Sequence, residues 1–423
     1  MNGIEIWEKV YKILLFGKIS RTKVNCAYKF ELILKPEQRA KCAQFVGNCR
    51  YVYNKAVEIQ IRQLENKRPF VSYKELASQL VGWKKDDSSL WLSESPAQTL
   101  QQALKDLDRG LMRFKQHKGG MVQFKARGDG DSFRLPQLLK GDFDEANARI
   151  RIPKIGFVRY RKSRDIQGKV KNLTISIEAR RWYVSVCTEI ENFQPQATRN
   201  GEVGIDLGIV RTVQLSDGTV YRLDVNEIKK LEDRIAVYQK QLESNKTSRQ
   251  KLAKLGKAAD FDKKVPSRKR RRLKEKIANL HRRIRNIRKD FMFKTARAIA
   301  QKYGWVAIED LQVRNMTKSA RGTIEEPGSN VKAKSGLNRS LQRVAPGAFR
   351  RILEWQVFKA GGYVDAVAPQ YTSQTCPHCG HIASENRPTQ ALFCCVKCGH
   401  TSNADVVAAG NILRKSRAGS DRL

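Results

Sequence analysis

The sequence is short of negative charge. Its 423 residues include 42 Asp and Glu against 82 Lys and Arg, which gives a formal net charge of +40. An excess of this size repels itself in a compact fold unless a polyanion neutralises it. An ordinary solvated surface usually mixes charges of both signs, so it is a poor explanation. The composition therefore favours nucleic acid as the partner, and a long one.

Long apolar runs are also missing. No stretch approaches the roughly 20 residues that a membrane span needs. The short apolar run 13–16 follows Glu5 and Glu8 and makes a poor signal peptide. We therefore expect no membrane partner and a cytoplasmic protein.

Cysteine is concentrated in one segment. Four of the nine cysteines form two Cys-x-x-Cys pairs, each followed directly by glycine, and the rest resemble ordinary thiols of a reducing compartment. Two such pairs predict a zinc ribbon whose four thiolates leave no open position on a structural Zn²⁺. The ribbon is flanked by His378, His381 and His400, and a Cys/His exchange of ligands stays open because Cys394 adjoins Cys395. DNA binding by the ribbon is the alternative to structural support. The predicted zinc ligands are Cys376, Cys379, Cys395 and Cys398.

The first half of the chain changes pattern twice. An alternating strand beginning at Cys26 ends at Pro36, and a helical pattern then continues to about Phe114. A basic, Gly-rich connector follows, and residues 133–191 have the alternation of β-strands. Residues 194–201 then have the composition of a linker.

The second half begins with a predicted hairpin at 203–218. Residues 226–300 are helical and basic, with two apolar seams at spacings of four and three that predict a short antiparallel coiled coil. Residues 314–336 are rich in Gly, Ser and Lys and predict a mobile loop. A helix and the strand 363–367 lead into the ribbon.

Three acids stand at similar places in three segments. Asp206 lies in an apolar strand, Glu309 ends another, and Asp405 precedes a helix whose small residues 408–410 predict close packing. Such acids are more often helix caps or salt-bridge partners, but a buried acid needs a partner. Three converging carboxylates can hold two Mg²⁺ ions for hydrolysis of a phosphodiester.

These motifs together resemble the transposon-encoded TnpB family of RNA-guided nucleases, relatives of type V CRISPR effectors. The resemblance runs from about Ala27 to Ile412, nearly the whole chain. It is carried by the blocks Ala27-Tyr-Lys-Phe, Cys49-Arg-Tyr-Val-Tyr-Asn, Leu100-Gln-Gln-Ala-Leu-Lys-Asp-Leu, Ser132-Phe-Arg-Leu, Gly204-Ile-Asp-Leu-Gly, Ile308-Glu-Asp-Leu, Tyr371-Thr-Ser-Gln-Thr-Cys and Asn403-Ala-Asp.

The resemblance implies an α/β multidomain fold. An RNase H-like (RuvC) nuclease domain would carry an inserted helical hairpin and the zinc ribbon, and a wedge β-barrel would carry an inserted helical recognition domain. The implied boundaries are 1–23 for an N-terminal extension, 24–36 with 132–195 for the wedge, 37–131 for recognition, 201–370 with 401–423 for the nuclease, 226–300 for the hairpin and 371–400 for the ribbon.

The implied activity is Mg²⁺-dependent, RNA-guided cleavage of double-stranded DNA next to a short motif that the protein reads. Asp206, Glu309 and Asp405 fall on the catalytic positions, where they would hold two Mg²⁺ ions or Mn²⁺. The guide RNA would come from the transposon end, and we expect a monomer with RNA, with a dimer as the alternative. The expected nucleic-acid contacts are Tyr73, Gln101, Arg270, Arg271 and Arg282, although a Tyr and a Gln on amphipathic helices usually pack or face solvent.

The sequence departs from the family pattern at two positions. Val407 stands where Asn is common, and Pro346 stands where the lid segment often has Trp. The first could alter the support of Asp405, and the second the opening of the lid, but neither removes an acid.

Three other functions remain open. A guided DNA-binding repressor without cleavage would have lost an acid, and all three are present. A basic zinc-ribbon RNA-binding protein would leave the acids unexplained. A classical transposase also uses three carboxylates on an RNase H-like fold, but the ribbon before the last acid and the wedge-like β region argue against it.

Overall fold

The computed structural model describes residues 23–191, 193–195, 200–254, 268–323 and 325–420, without the side chains of residues 245–254 and 420. The predicted N-terminal extension, apart from Lys23, lies outside the described residues. The chain divides into two compact units, residues 1–194 and 195–423, and each is described by itself.

The first unit contains an antiparallel sheet. Its strands are β1 (Val24–Ile33), β2 (Ser132–Leu135), β3 (Phe143–Asp144), β4 (Arg149–Ile152), β5 (Gly156–Tyr160), β6 (Lys169–Glu178) and β7 (Arg181–Ile190). They pair in the order β2-β6-β7-β1-β5-β4-β3. β1 joins the two halves, because residues 24–31 pair with β7 and residues 32–33 pair with β5. In this order β2 and β3 stand at the two ends of the sheet, and the wedge β-barrel stays a prediction.

Three helices stand between β1 and β2. They are α1 (Pro36–Glu65), α2 (Tyr73–Trp83) and α3 (Ala97–Lys115), with a 3₁₀ turn at Asp87–Glu94. Ser72 begins α2, because its hydroxyl accepts from the Glu75 amide while the Glu75 carboxylate accepts from the Ser72 amide. Helices and sheet share one core, in which Phe45 of α1 lies edge-on to Phe133 of β2 at 5.6 Å.

The second unit contains a mixed sheet. Its strands are β8 (Glu202–Asp206), β9 (Val213–Leu215), β10 (Val220–Tyr221), β11 (Trp305–Glu309) and β12 (Tyr363–Val367), in the order β10-β9-β8-β11-β12. β11 runs parallel to both β8 and β12, whereas β9 is antiparallel to β8. The carboxyl ends of β8 and β11 therefore lie side by side.

Two long helices separate β10 from β11. They are α4 (Val225–Lys254) and α5 (Arg268–Lys302). Their apolar seams pack into one cluster that includes Ile228 and Ile284. The pairing is antiparallel, since Arg283 bonds Glu227 near the base and Arg270 bonds the carbonyl of Leu242 further along. Both predicted seams therefore meet, while Ser267, at the start of the predicted basic tip, lies outside the described residues.

The segment after β11 is partly helical. α6 (Val313–Met316) is short, and α7 (Val331–Val344) and α8 (Pro346–Lys359) meet at Ala345, which has a φ of +52°. The predicted loop 314–336 was too long, because α7 already begins at Val331.

Among the residues described, no helix is long and apolar enough to cross a membrane.

The chain ends in the predicted ribbon and a last helix. β13 (Leu392–Cys394) and β14 (Thr401–Asn403) pair, so the ribbon sheet extends past the predicted boundary at residue 400. α9 (Ala404–Ser420) then packs on β8, and a Cβ added to Gly204 would overlap the carbonyl oxygen of Ala409. Only glycine fits at such an approach, so the close packing expected of the small residues 408–410 is found between α9 and β8.

Candidate active site and zinc ribbon

The four cysteines of the ribbon lie together. Their sulfur atoms are all within 4.8 Å of one another, with Sγ–Sγ distances of 3.6 Å for Cys376–Cys398 and for Cys379–Cys395. A tetrahedral zinc site with Zn–S bonds of about 2.3 Å needs sulfurs about 3.8 Å apart. The four thiols therefore fit one closed Zn²⁺ site.

The two knuckles that carry these cysteines repeat the same backbone pattern. The amides of Cys376 and Cys395 donate to the carbonyls of His381 and His400, each at 2.9 Å. Gly380 and Gly399 close the two turns with φ of +74° and +70°. Glycine adopts this left-handed conformation without steric cost, which explains why one follows each Cys-x-x-Cys pair.

Backbone amides prepare the buried thiols for metal. Burial opposes ionisation of Cys395, but the N–H groups of Cys398 and Lys397 point at its sulfur and lower its pKa to about 6. A thiolate is the form that binds metal. Cys394 lies outside the group of four, and the rings of His378 and His400 stack at 6.1 Å instead of joining it. The described residues therefore give no support to an exchange of ligands.

The three acids sit where the second unit brings three elements together. Asp206 is the last residue of β8, Glu309 is the last residue of the adjacent parallel β11, and Asp405 is in the first turn of α9. Asn403 begins α9, because its side-chain oxygen accepts from the amides of Asp405 (3.1 Å) and Val406 (3.4 Å). All three acids are half-buried.

The acids act on one another electrostatically. Burial, followed by the negative charges of Glu309 and Asp405, raises the pKa of Asp206 to about 7, while Arg387 opposes the shift. Burial also raises the pKa of Glu309. A half-buried carboxylate beside two others lacks compensation, and a divalent cation is the partner that such a donor set suits.

Two arginines partly balance Asp405. Nη2 of Arg387 lies 3.5 Å from one carboxylate oxygen, and Nε of Arg211 lies 3.8 Å from the other. In the part of the chain that is described, the three carboxylates do not form a group with oxygens within 4.8 Å of one another, as the cysteine sulfurs do. A shared metal would therefore draw the acids closer than they lie here.

Residues outside the predicted set hold Glu309. The buried hydroxyl of Thr372 donates to Oε1 of Glu309 at 2.5 Å. Asn411, buried in α9, donates to the carbonyls of Thr372 (2.9 Å) and Thr375 (2.7 Å). Sequence reasoning assigned these residues no role, although Thr372 stands inside the block Tyr371-Thr-Ser-Gln-Thr-Cys that marks the family.

The expected nucleic-acid residues lie on two surfaces. In the first unit, Nζ of Lys105 lies over the ring of Tyr73 at 5.4 Å, and the exposed Gln101 is one helical turn before Lys105 on α3. In the second unit, Arg271 is exposed on α5, while Arg270 and Arg282 are half-buried there. Their roles in binding remain predictions.

The two departures from the family pattern have structural places. Val407 is buried in a cluster with Phe393 and the thiols of Cys376 and Cys395, so an apolar side chain suits this position. Pro346 is the first residue of α8, where its missing N–H costs no hydrogen bond.

Three family models match separate parts of the chain. They are described as "Helix-turn-helix domain" over residues 24–68, "Probable transposase" over residues 185–320 and "Cas12f1-like, TNB domain" over residues 347–412. The last match covers the ribbon, Asp405 and the start of α9 up to Ile412.

Relatives match over much of the chain. RNA-guided DNA endonuclease InsQ of Escherichia coli (strain K12) is 41% identical over 392 residues, which cover 93% of this chain and 92% of the relative. An RNA-guided DNA endonuclease of Streptomyces pristinaespiralis is 27% identical over 94% of this chain and 91% of its own length. CRISPR-associated endodeoxyribonuclease Cas12f1 of Sulfoacidibacillus thermotolerans is 30% identical over 55% of this chain and 50% of its own. The chain therefore belongs to the transposon-encoded TnpB family, which is related to the type V effectors.

Proposed function

We propose that this protein is a transposon-encoded, RNA-guided DNA endonuclease that hydrolyses target DNA next to a short motif read by the protein. Its relatives over nine-tenths of the chain carry the name RNA-guided DNA endonuclease. The observation that carries the proposal is the convergence of Asp206, Glu309 and Asp405, whose mutual repulsion helps raise the pKa of Asp206 to about 7. A repressor that only binds DNA has no use for such a costly arrangement.

The sheet of the second unit supports an RNase H-like (RuvC) nuclease domain. Its order β10-β9-β8-β11-β12 has three antiparallel strands followed by two parallel ones. If the five strands are numbered 1 to 5 along the chain from β8 to β12, their order in the sheet is 3-2-1-4-5, and this is the order that we assign to an RNase H-like sheet. We assign α4 and α5 as a helical insertion in this domain, and residues 371–400 as a ribbon that leads into the third acid.

The three acids would hold two Mg²⁺ ions, or Mn²⁺, through carboxylate oxygens. Bound there, the ions would supply positive charge for the target phosphate and acidity for a water molecule. The chain itself orients the acids: β8 and β11 fix Asp206 and Glu309 side by side, and the Asn403 cap fixes Asp405. Arg387 and Arg211 keep positive charge next to Asp405.

The ribbon would hold one structural Zn²⁺ on Cys376, Cys379, Cys395 and Cys398. The fit is supported by the closeness of the four sulfurs. Among the described residues, no fifth Cys, His, Asp or Glu belongs to this group. We assign it a stabilising role, because Val407 of α9 packs directly on the ribbon core and α9 carries Asp405.

A guide RNA fits the charge of the chain. The net charge of +40 is enough to neutralise many phosphates, and each phosphate neutralised makes binding more sensitive to salt. Base pairing with the guide would select the sequence, while the protein reads the adjacent motif. We propose that Tyr73, Gln101 and Lys105 lie near that motif, since the three share one polar surface of the first unit.

The experiment is reconstitution with the RNA that co-purifies with the protein. That RNA is sequenced, DNA duplexes matching its successive segments are made with a randomised flank, and cleavage is measured with and without Mg²⁺. Cleavage of matched but not scrambled duplexes, with a preferred flank, is the expected result. Joining of DNA ends without a need for RNA would favour the transposase named by the family model for residues 185–320. Guided binding without cleavage would favour the repressor.

A further inference from the structure

We infer that Thr372 is a positioning residue that holds the carboxylate of Glu309 in the orientation needed to receive a metal ion. The inference rests on the proposed nuclease function and names a residue that this function alone does not require. It concerns the second unit only.

The contact between Thr372 and Glu309 is buried and short. Thr372 is 4% exposed, and its Oγ1 lies 2.5 Å from Oε1 of Glu309. The same hydroxyl also lies 3.0 Å from the carbonyl of Pro369. A hydroxyl has one hydrogen, and a charged acceptor forms the shorter and stronger bond, so the hydrogen goes to the carboxylate.

This hydrogen bond occupies one oxygen of Glu309 and leaves the other available. Without it, the side chain of Glu309 could rotate about its terminal bond, whose barrier is low. With it, Oε1 is held by the Thr372 hydroxyl, and Oε2 is the oxygen left for a cation.

Helix α9 holds Thr372 in turn. The Asn411 amide donates to the backbone carbonyls of Thr372 and Thr375, and Lys415, one turn later, donates to those of Ala368 (2.9 Å) and Gln370 (3.1 Å). Asn411 is 6% exposed, so its hydrogen bonds are protected from water. The helix that carries the third acid at its start thus fixes the segment that orients the second acid.

The neighbouring threonine provides a matched control. The hydroxyl of Thr375 donates to the backbone carbonyl of Tyr371 at 2.8 Å, and it forms no hydrogen bond with an acid of the described residues. Thr375→Val therefore removes a hydroxyl from the same segment without changing Glu309. Thr372→Val removes the bond to Glu309 at nearly constant volume, and Thr372→Ser keeps it.

The test measures metal binding in two ways on the complex with its guide RNA. The first is the Mg²⁺ concentration that gives half-maximal cleavage of a matched duplex. The second does not depend on DNA cleavage: Fe²⁺ replaces Mg²⁺, ascorbate and peroxide generate hydroxyl radicals, and the fragments of the protein backbone cut near the acids are sized on a gel. Asp206→Ala supplies the background.

Thr372→Val should raise the half-maximal Mg²⁺ concentration about 10-fold or more and weaken the iron-directed fragments, because partners behind a metal ligand typically contribute about 10- to 100-fold in affinity. Thr372→Ser and Thr375→Val should both stay close to wild type. If Thr372→Val matches wild type in both assays, the inference is wrong while the proposed function stands.

Two further outcomes also decide the matter. If Thr372→Val loses its zinc or its guide RNA, it has failed to fold, and Thr372→Ser then carries the test: a large loss there would show that the hydroxyl is not what matters. If wild type neither cleaves DNA nor yields iron-directed fragments above the Asp206→Ala background, the proposed metal site itself is absent.

Discussion

The zinc ribbon and the acid site differ in how much of the molecule each needs. The four cysteines lie within 23 residues of sequence, and two similar knuckles are enough to bring their sulfurs within 4.8 Å. The three acids span 200 residues, and a parallel strand pair, a helix start and a buried threonine bring them together. A short motif can therefore build the first site, whereas the second exists only when the whole sheet has formed.

The largest expected effect comes from breaking the ribbon. Cys376→Ser should abolish stoichiometric zinc and unfold the C-terminal segment, because the free energy of binding at a closed four-thiolate site is also folding free energy. Zinc content and limited proteolysis measure this. The control is Cys394→Ser, which lies outside the ligand group and should keep one zinc per chain. Full stability of Cys376→Ser without zinc would show that zinc does not stabilise the C-terminal segment.

The next effect should fall on the acids and spare the ribbon. Gly204→Ala places a methyl group against the carbonyl of Ala409, so α9 must shift away from β8 and move Asp405 relative to Asp206. Overpacking of this kind costs about 1–3 kcal/mol, and we expect cleavage to drop by more than 10-fold with zinc retained. Gly410→Ala, at the next residue of the same helix but with open space at its Cβ, is the control and should be neutral or slightly stabilising.

A smaller effect should appear in the pH dependence of stability. Because the pKa of Asp206 is raised to about 7 in the folded chain, the folded state binds more protons than the unfolded state between about pH 4 and 7, and stability falls as pH rises through that range. Asp206→Asn removes this loss. In Mg²⁺-free buffer it should stabilise the protein at pH 8 by on the order of 3 kcal/mol, and by less at pH 5.

Thermal unfolding at several pH values measures this difference. A gain that is equal at pH 8 and pH 5 would show that the charge of Asp206 is not penalised in the folded chain.

The smallest effect concerns the coupling between the two regions. Asn411→Ala removes two buried hydrogen bonds to the segment that joins β12 to the ribbon, which should cost about 1–3 kcal/mol and leave two carbonyls unpaired. Zinc should be retained, and the Mg²⁺ requirement should rise as in Thr372→Val. An unchanged Mg²⁺ requirement would show that Asn411 of α9 does not influence the orientation of Glu309.

The four cysteines and the strand-end acids could be predicted from the sequence, because their positions follow from local residue patterns. Cysteine spacing encodes a local site, and strands β8 and β11 are apolar runs that end in an acid, so the residue pattern alone was enough to propose Asp206 and Glu309. The small residues 408–410 likewise predicted the close approach of α9. Composition misled only for the first turns of α7, because residues 331–336 contain the Gly, Ser and Lys that are typical of a loop.

The supporting contacts could not be predicted in this way. Thr372 meets Glu309 only because of how residues 368–372 turn after β12, and no periodicity encodes that turn. Arg387 lies 18 residues before Asp405 in sequence, and the fold of the ribbon alone brings it close.

The most direct test of the central claim is a paired assay of binding and cleavage on one guide-matched DNA duplex. Asp206→Ala, Glu309→Gln and Asp405→Ala should each lose cleavage by at least about 1,000-fold, since the acids act as a unit, while the affinity for DNA stays equal or rises slightly. Guide pairing and basic side chains hold the DNA, and removing a carboxylate removes only repulsion. Cleavage that survives Asp206→Ala would contradict the account and place the hydrolytic site elsewhere.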